Sequence, residues 1–418
     1  MTSHDSVRQI AMKAKEASSL LAHLDSRTRD QLIHSMHSSL CESKNDILKA
    51  NEKDLESGRK NRLSQPLIDR LELNDKRFDD MLVSIVQVGK RADMLGEVIE
   101  KRELANGLEL SKVRVPIGVI GVIYESRPNV TCEAASLCFK SGNAVILKGG
   151  SEAVHTNRAI CEAMRLALSA HGNLINAVSF IDSTDRSSVR ELVQLEGLVD
   201  LAIPRGGEGL IRSVMECATV PVIKHAKGVC HTFVDKSANI EMALHICENA
   251  KCQRPGVCNA MESLLVHSGI AEKFLPKCIE RLGAHGVEFR GDDKSCQIAP
   301  TITVATESDY STEYLDLKLS LKIVDDIDEA ISHINHYGSQ HSDAIVTSSR
   351  EAGARFMREV NSAVVYVNAS TRFTDGAVFG MGAEIGISTD KLHARGPMGA
   401  KELTTYKWMV VGNGQVRV

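Results

Sequence analysis

The chain has 418 residues, 43% of them apolar, enough to bury a large core, and that length favours two or three domains over one. Its 50 basic and 54 acidic residues are mixed throughout, with a formal charge of −4 and no basic block to track a phosphate backbone, which argues against a nucleic-acid partner. The polar start Met1-Thr2-Ser3-His4-Asp5 has no apolar leader, and no apolar run reaches the roughly 18 residues needed to span a bilayer, so a cytoplasmic protein without membrane contact is expected.

Taken in chain order, the first ninety or so residues read as helices. Val7, Ile10, Ala14, Ala17, Leu20, Leu21 and Leu24 recur at three and four and form one apolar stripe, and Thr28 with Gln31 fits a capping box opening a second helix. From Ser111 the texture changes to short β-rich runs, 113–115 and 117–124. Helix 128–140, strand 144–148, helix 153–170, strand 177–181, helix 185–195 and strand 198–204 are predicted next. A second alternating block begins near Cys230, with strand 232–234, helix 240–250, strand 262–266, helix 271–282 and later strands near Ile323 and over 344–347. Strands separated by helices of this length predict right-handed crossovers and mostly parallel sheets, in two α/β domains with a cleft between them. The tail reads as strand 406–411, a turn at Gly412-Asn413-Gly414 and a short strand 415–418, a terminal hairpin able to pair with another subunit. No internal repeat or low-complexity segment is present.

Eleven cysteines is an odd number, and most sit in apolar helical surroundings, as Cys138 and Cys161 do. No pair has zinc-like spacing with a second pair nearby, so no metal is expected. Cys258 differs, standing in the polar loop Gln253-Arg254-Pro255-Gly256-Val257-Cys258-Asn259-Ala260 between a helix and an apolar strand. Backbone N–H groups and Arg254 can stabilise a thiolate there, which makes Cys258 the best nucleophile candidate; a buried structural thiol is the alternative, and Cys252 the rival. Two strands end in glycine turns, Lys148-Gly149-Gly150-Ser151-Glu152 and Arg205-Gly206-Gly207-Glu208-Gly209, where helix N-terminal amides bind anions, although a Gly-Gly after a strand also makes a plain tight turn. His333 and His336 share a helix face, suited either to metal or acid/base work or, with no matching carboxylate, to a solvated or hydrogen-bonded face. The dense polar loop from Asn368 to Gly376 suits recognition of a small carboxylate-bearing substrate or a solvated turn.

At Pro116-Ile117-Gly118-Val119-Ile120-Gly121-Val122-Ile123 and Gly142-Asn143-Ala144-Val145-Ile146-Leu147-Lys148 the chain resembles the aldehyde dehydrogenase superfamily. Segments 124–131, 253–260, 338–343 and 379–386 resemble those of its acyl phosphate-reducing members, over a span from about Val115 to Arg395. The resemblance implies an aldehyde dehydrogenase-like α/β fold of two domains with mostly parallel sheets plus a small β oligomerisation flap. Its implied bounds are 1–105 and 116–229 for the nicotinamide domain, 230–402 for the catalytic domain and 106–115 with 403–418 for the flap. It makes Cys258 the nucleophile, puts Lys148 on the adenosine ribose or its phosphate, Gly206 and Gly207 beside the pyrophosphate and Glu313 on the nicotinamide ribose.

Departures from the oxidising relatives are informative. Ser126 stands where they carry an Asn on the substrate oxygen, and His225 replaces the Glu that activates water, as suits an enzyme that must not hydrolyse its thioester. Ser151 replaces a carboxylate that repels a ribose 2′-phosphate, which favours NADPH over NADH. The implied activity is reduction of glutamyl 5-phosphate to glutamate 5-semialdehyde in proline synthesis, with phosphate displaced by Cys258 and the thioester consumed by hydride. Backbone N–H of Cys258 with Ser126 or Asn259 would hold the oxyanion. Ser370, Thr371 and Arg372 are candidates for the substrate α-carboxylate, with Asn368 and Arg395 behind them. Expected partners are the small substrate, further copies of the chain as a dimer or tetramer, and, compatibly, a glutamate 5-kinase. Rival readings are an aldehyde oxidiser that hydrolyses its thioester, and a scaffold that has lost chemistry.

Overall fold

The computed structural model describes residues 6–224 and 227–417; the polar start over 1–5, His225 and Val418 lie outside the described residues. Among the described residues sixteen strands run in chain order as β1 (Val98–Glu103), β2 (Glu109–Pro116), β3 (Val119–Tyr124), β4 (Ala144–Lys148), β5 (Val178–Phe180), β6 (Leu201–Arg205), β7 (Cys230–Val234) and β8 (Met261–His267), then β9 (Glu288–Gly291), β10 (Thr303–Val304), β11 (Lys318–Val324), β12 (Ser342–Val346), β13 (Val364–Val367), β14 (Gly386–Ser388), β15 (Gly396–Met398) and β16 (Thr404–Val411). The chain divides into two compact units, one of Met1–Lys224, Gly380–Gly386 and Met398–Val418, the other of His225–Phe379 and Ile387–Pro397.

Helices open the first unit. Ser6 caps helix Val7–Leu21 in a capping box with Gln9, and the buried face is Val7, Ala11, Ala14, Ala17 and Leu21. Leu20 is 48% exposed and Ile10 only half-buried, so the stripe is turned from the expected one towards small residues that let the helix approach its neighbours closely. The next helix, Ser26–Glu42, starts earlier than expected: Asp25 is its cap and accepts the N–H of Thr28 at 2.7 Å, so Thr28 already lies inside the first turn. β5, β4, β3 and β6 form a parallel sheet in that order. β3 and β4 are buried at every position, as their unbroken apolar runs require. The order reverses at β3, and the carboxyl ends of β3, β4 and β6 converge on Glu125, Lys148 and Gly206, the place where open α/β sheets bind ligands. The expected helix 153–170 ends at Leu166 and gives way to a 3₁₀ stretch, Ser169–Ala177, broken at Gly172, whose φ of 59° disfavours any other residue.

β1, β2 and β16 make a separate antiparallel sheet, with β16 paired to β2 from Thr404↔Pro116 to Val411↔Glu109. The expected terminal hairpin is not formed, because residues 415–417 are not a strand. Gln415 turns back instead, its amide donating to Asn106 O at 3.0 Å and accepting from Asn413 N at 2.5 Å.

In the second unit a seven-stranded parallel sheet runs β10-β9-β11-β8-β7-β12-β13. Successive strand residues serve opposite faces: Leu264 joins Phe274, Leu275, Cys247 and Leu321 on one side, while Leu265 joins Phe233, Ile331, Ile345 and Phe356 on the other. A register shift falls between Cys230 and His231 on β7, directly beside the start of β8. No helix among the described residues is long and apolar enough to cross a membrane.

Candidate active site

In the first unit a cavity of about 580 Å³ is lined by Tyr124, Glu125, Ser126, the turn from Lys148 to Glu152, His155 and Arg186. The turn's two glycines are closely covered: a Cβ on Gly149 would come 2.1 Å from the buried Asn157 Nδ2, and one on Gly150, 2.2 Å from Glu152 Oε1, would displace that carboxylate. Ser126 has φ of 37°, and its N–H and hydroxyl both donate to Glu152 Oε1, at 2.7 and 2.6 Å. Lys148 Nζ donates to Gly149 O at 2.9 Å; burial lowers its pKa and the Glu152 charge opposes that. Ser151 is exposed at the head of the 3₁₀ turn Ser151–Ala153. Across the sheet Glu125 Oε2 accepts the N–H of Gly207 at 2.8 Å, and a Cβ on Gly206 would lie 2.5 Å from that carboxylate. Sequence reasoning missed Glu125 and Glu152, which join these turns; each reads as an ordinary surface acid, and only its place directly after β3 or inside the glycine turn hints otherwise.

In the second unit Cys258 is half-buried in the loop between helix Ile240–Cys252 and β8, at the amino end of that strand. The loop is clamped on several sides. A Cβ on Gly228 would lie 2.1 Å from Cys258 O, so only glycine permits this approach, and the Cys230 thiol donates to the same oxygen at 3.2 Å. Thr371 Oγ1 donates to Asn259 O at 2.7 Å, and Asn259 Nδ2 donates to Thr374 O at 2.7 Å. Arg372 spans the loop, with Nε donating to Gln253 Oε1 at 2.9 Å and Nη1 to Asn259 Oδ1. At the base, Lys251 and Glu262 form a wholly buried pair at 2.7 Å, and Glu262 Oε1 accepts the N–H of Leu315 at 3.1 Å, tying in the segment that carries Glu313. Burial raises Glu262 to about 7 against the pull of Lys251, and the Glu313 charge adds to the rise.

Cys258, Asn259, Thr371 and Arg372 are thus one cluster. Ser370 supports it by accepting Arg372 N at 3.3 Å as the cap of the turn Thr371–Phe373. Asn368 is engaged elsewhere: its side chain accepts Thr347 N and donates to Thr347 O, both at 2.9 Å, closing the end of β12. Arg395 donates to Asn361 O at 2.9 Å and Gln340 Oε1 at 3.3 Å. Gly228 and Cys230 escaped the sequence reading because they act on a backbone atom of the loop, Cys258 O, and Thr374, inside the polar loop 368–376, because it is its backbone carbonyl that accepts from Asn259.

None of the eleven cysteines forms a disulfide. Burial pushes the thiols of Cys132, Cys138, Cys247 and Cys278 upward and that of Cys161 to about 12, and it also raises the rival Cys252. His333 lies on neither a metal nor a solvated face; it is buried edge-on to His231 and Tyr310, with ring centroids 5.7 and 5.1 Å away, and burial lowers it to about 2. Among the described residues no group of three or more His, Cys, Asp or Glu side chains is placed to hold a metal.

Residues 1–316 match the model of the aldehyde dehydrogenase family. The γ-glutamyl phosphate reductase of Caldanaerobacter subterraneus subsp. tengcongensis is 53% identical over 97% of this chain and 98% of its own length. That of Citrifermentans bemidjiense is 51% identical over 100% of both. The crystal structure of γ-glutamyl phosphate reductase from Thermotoga maritima superposes with a TM-score of 0.97 at 48% identity, covering 99% of this chain and 100% of that one. An acetylating aldehyde dehydrogenase from Geobacillus thermoglucosidasius, 16% identical over 99% of this chain and 97% of its own, shares the fold with a TM-score of 0.68.

Proposed function

The chain belongs to the aldehyde dehydrogenase family, and from that premise we propose that it reduces L-glutamyl 5-phosphate to L-glutamate 5-semialdehyde with NADPH, releasing phosphate, through a thioester on Cys258. The observation that carries this reading is the similarity, over nearly the whole chain, to reductases named for γ-glutamyl phosphate. The chemistry of the thiol loop supports it.

In the proposed reaction the Cys258 thiolate attacks the acyl carbon, a C–S bond forms, and the C–O bond to the phosphoryl group breaks with its electron pair leaving on phosphate. The backbone N–H of Cys258 holds the oxyanion, with Asn259 and Ser126 as the side-chain candidates once their present bonds are exchanged. The glycine cradle and the cavity beside β3 and β4 fit a dinucleotide, with Lys148 and Ser151 at the adenosine ribose, Gly206 and Gly207 at the pyrophosphate and Glu313 at the nicotinamide ribose. Bound NADPH would supply the hydride to the thioester carbon, and the aldehyde is released as the C–S bond breaks with its electron pair returning to the Cys258 sulfur. Arg186 on the cavity wall is a cation suited to a 2′-phosphate, and His155 on the same wall offers a ring nitrogen to hydrogen-bond it. Thr371 and Arg372, with Ser370 capping their turn, are assigned to the substrate's anionic groups; Asn368 and Arg395 stand behind them, bonded to Thr347 and to Asn361 and Gln340.

Strict dependence of NADP⁺ reduction by glutamate 5-semialdehyde on inorganic phosphate is expected in the reverse direction. Turnover without phosphate would mean that water resolves the thioester, and the substrate assignment would fall. Cys258→Ala is expected to lose turnover and keep NADPH binding by fluorescence titration. We further place the protein in the cytoplasm as a homodimer or homotetramer; co-elution with a glutamate 5-kinase tests the docking that would shield a labile acyl phosphate from water.

A further inference from the structure

Arg254 and Arg372 are two guanidinium groups held at one loop. Arg372 is half-buried and bonded to Gln253 and Asn259, the residues that bracket Arg254 and Cys258. Both partners are neutral amides, so neither bond cancels its charge. Asp375 has its Oδ1 engaged by the N–H groups of Ala377 at 2.9 Å and Val378 at 3.2 Å, and its charge offsets that of Arg372 only in part. Arg254 is exposed on the same loop. Burial first and the Arg254 charge second lower the Arg372 pKa, opposed by Cys258, Asp375 and Cys230. Two like charges carried at one loop repel, and a bound anion relieves that repulsion.

We propose that Arg254 and Arg372 form the subsite for the phosphoryl group of the acyl phosphate, and for free phosphate in the reverse reaction, a proposal that rests on the acyl phosphate reading above. The phosphoryl group is attached through one oxygen to the carbon that Cys258 attacks, whereas the substrate α-carboxylate is at the far end of the amino-acid chain. A guanidinium fixed to both sides of the thiol therefore meets the phosphoryl first. Its planar fork matches phosphate oxygens, and the pair takes up the charge left on phosphate as the acyl C–O bond breaks.

The test uses the full chain in the direction of semialdehyde oxidation, with inorganic phosphate varied. Arg254→Gln is expected to raise the KM for phosphate about tenfold or more, the loss of one charge-assisted contact, while the KM for semialdehyde stays as in wild type. Arg254→Lys, which keeps the charge without the fork, should recover part of the loss. An unchanged phosphate KM in Arg254→Gln overturns the subsite, as does a rise confined to the semialdehyde KM, which would mark these cations as α-carboxylate ligands. If the unaltered protein shows no phosphate dependence, the acyl phosphate reading itself fails, a result readily told apart from the other two.

Discussion

Gly228 shows how much a single residue can decide without chemistry of its own. Any side chain there would run into Cys258 O, a backbone atom that cannot swing aside, so Gly228→Ala must shift the thiol. Displacements of that kind cost on the order of a hundredfold in rate, and kcat is expected to fall by about that factor while the NADPH dissociation constant is unchanged; equal loss of both would point to general unfolding. His333 makes a different kind of statement. Its folded pKa is lowered from 6.5 to about 2 by burial, so it stays neutral inside while the unfolded chain takes up a proton near 6.5. Its contribution is fully present above 6.5 and is lost as pH falls below, at up to about 1.4 kcal/mol per pH unit. His333→Phe, which keeps a ring beside Tyr310 and Tyr337, should flatten the decline in melting temperature between pH 6.5 and 5, and an unaltered slope would remove His333 from the acid response.

At the level of elements, the thiol loop is held by its ends and not by regular structure of its own. The Lys251–Glu262 pair joins the last turn of one helix to the start of β8, and Leu315, with φ of 53°, is fixed to the same carboxylate. Removing one partner strands a buried charge at about 3–5 kcal/mol. Lys251→Met is therefore expected to lower the melting temperature sharply, and adding Glu262→Gln, which still accepts from Leu315 N, should restore much of it; additive losses from the two changes would show that the ions are not coupled. The inner strands of the parallel sheets were legible from their apolar runs because burial on both faces demands such runs, whereas β9 and β10 at one edge, partly or wholly exposed, were not. β1 was not, since all six of its residues are exposed and it exists only because β2 offers a partner.

For the whole molecule, the small antiparallel sheet is the part that a single chain leaves unfinished. β16 pairs along one edge with β2, and Tyr406, Met409, Val410 and Val411 are each about half exposed or more. An apolar edge of that length, unpaired among the described residues, suits the pairing with another copy proposed above. Val410→Lys is expected to shift light-scattering mass towards one chain with the circular dichroism spectrum retained; a wild-type protein that already elutes at the mass of one chain would end this idea. The sequence by itself determined the alternating α/β architecture, the glycine turns after β4 and β6 and the singular polar setting of Cys258, because hydrophobic period and glycine–strand adjacency are local properties. Tertiary structure alone decided that Glu125 and Glu152 tie the turns, that Gly228, Cys230 and Thr374 hold the thiol loop, that Asn368 closes β12 and that the tail joins β2 instead of folding on itself. Each of these is a contact between residues far apart in the chain, and local pattern carries no record of which distant backbone atom a side chain will meet.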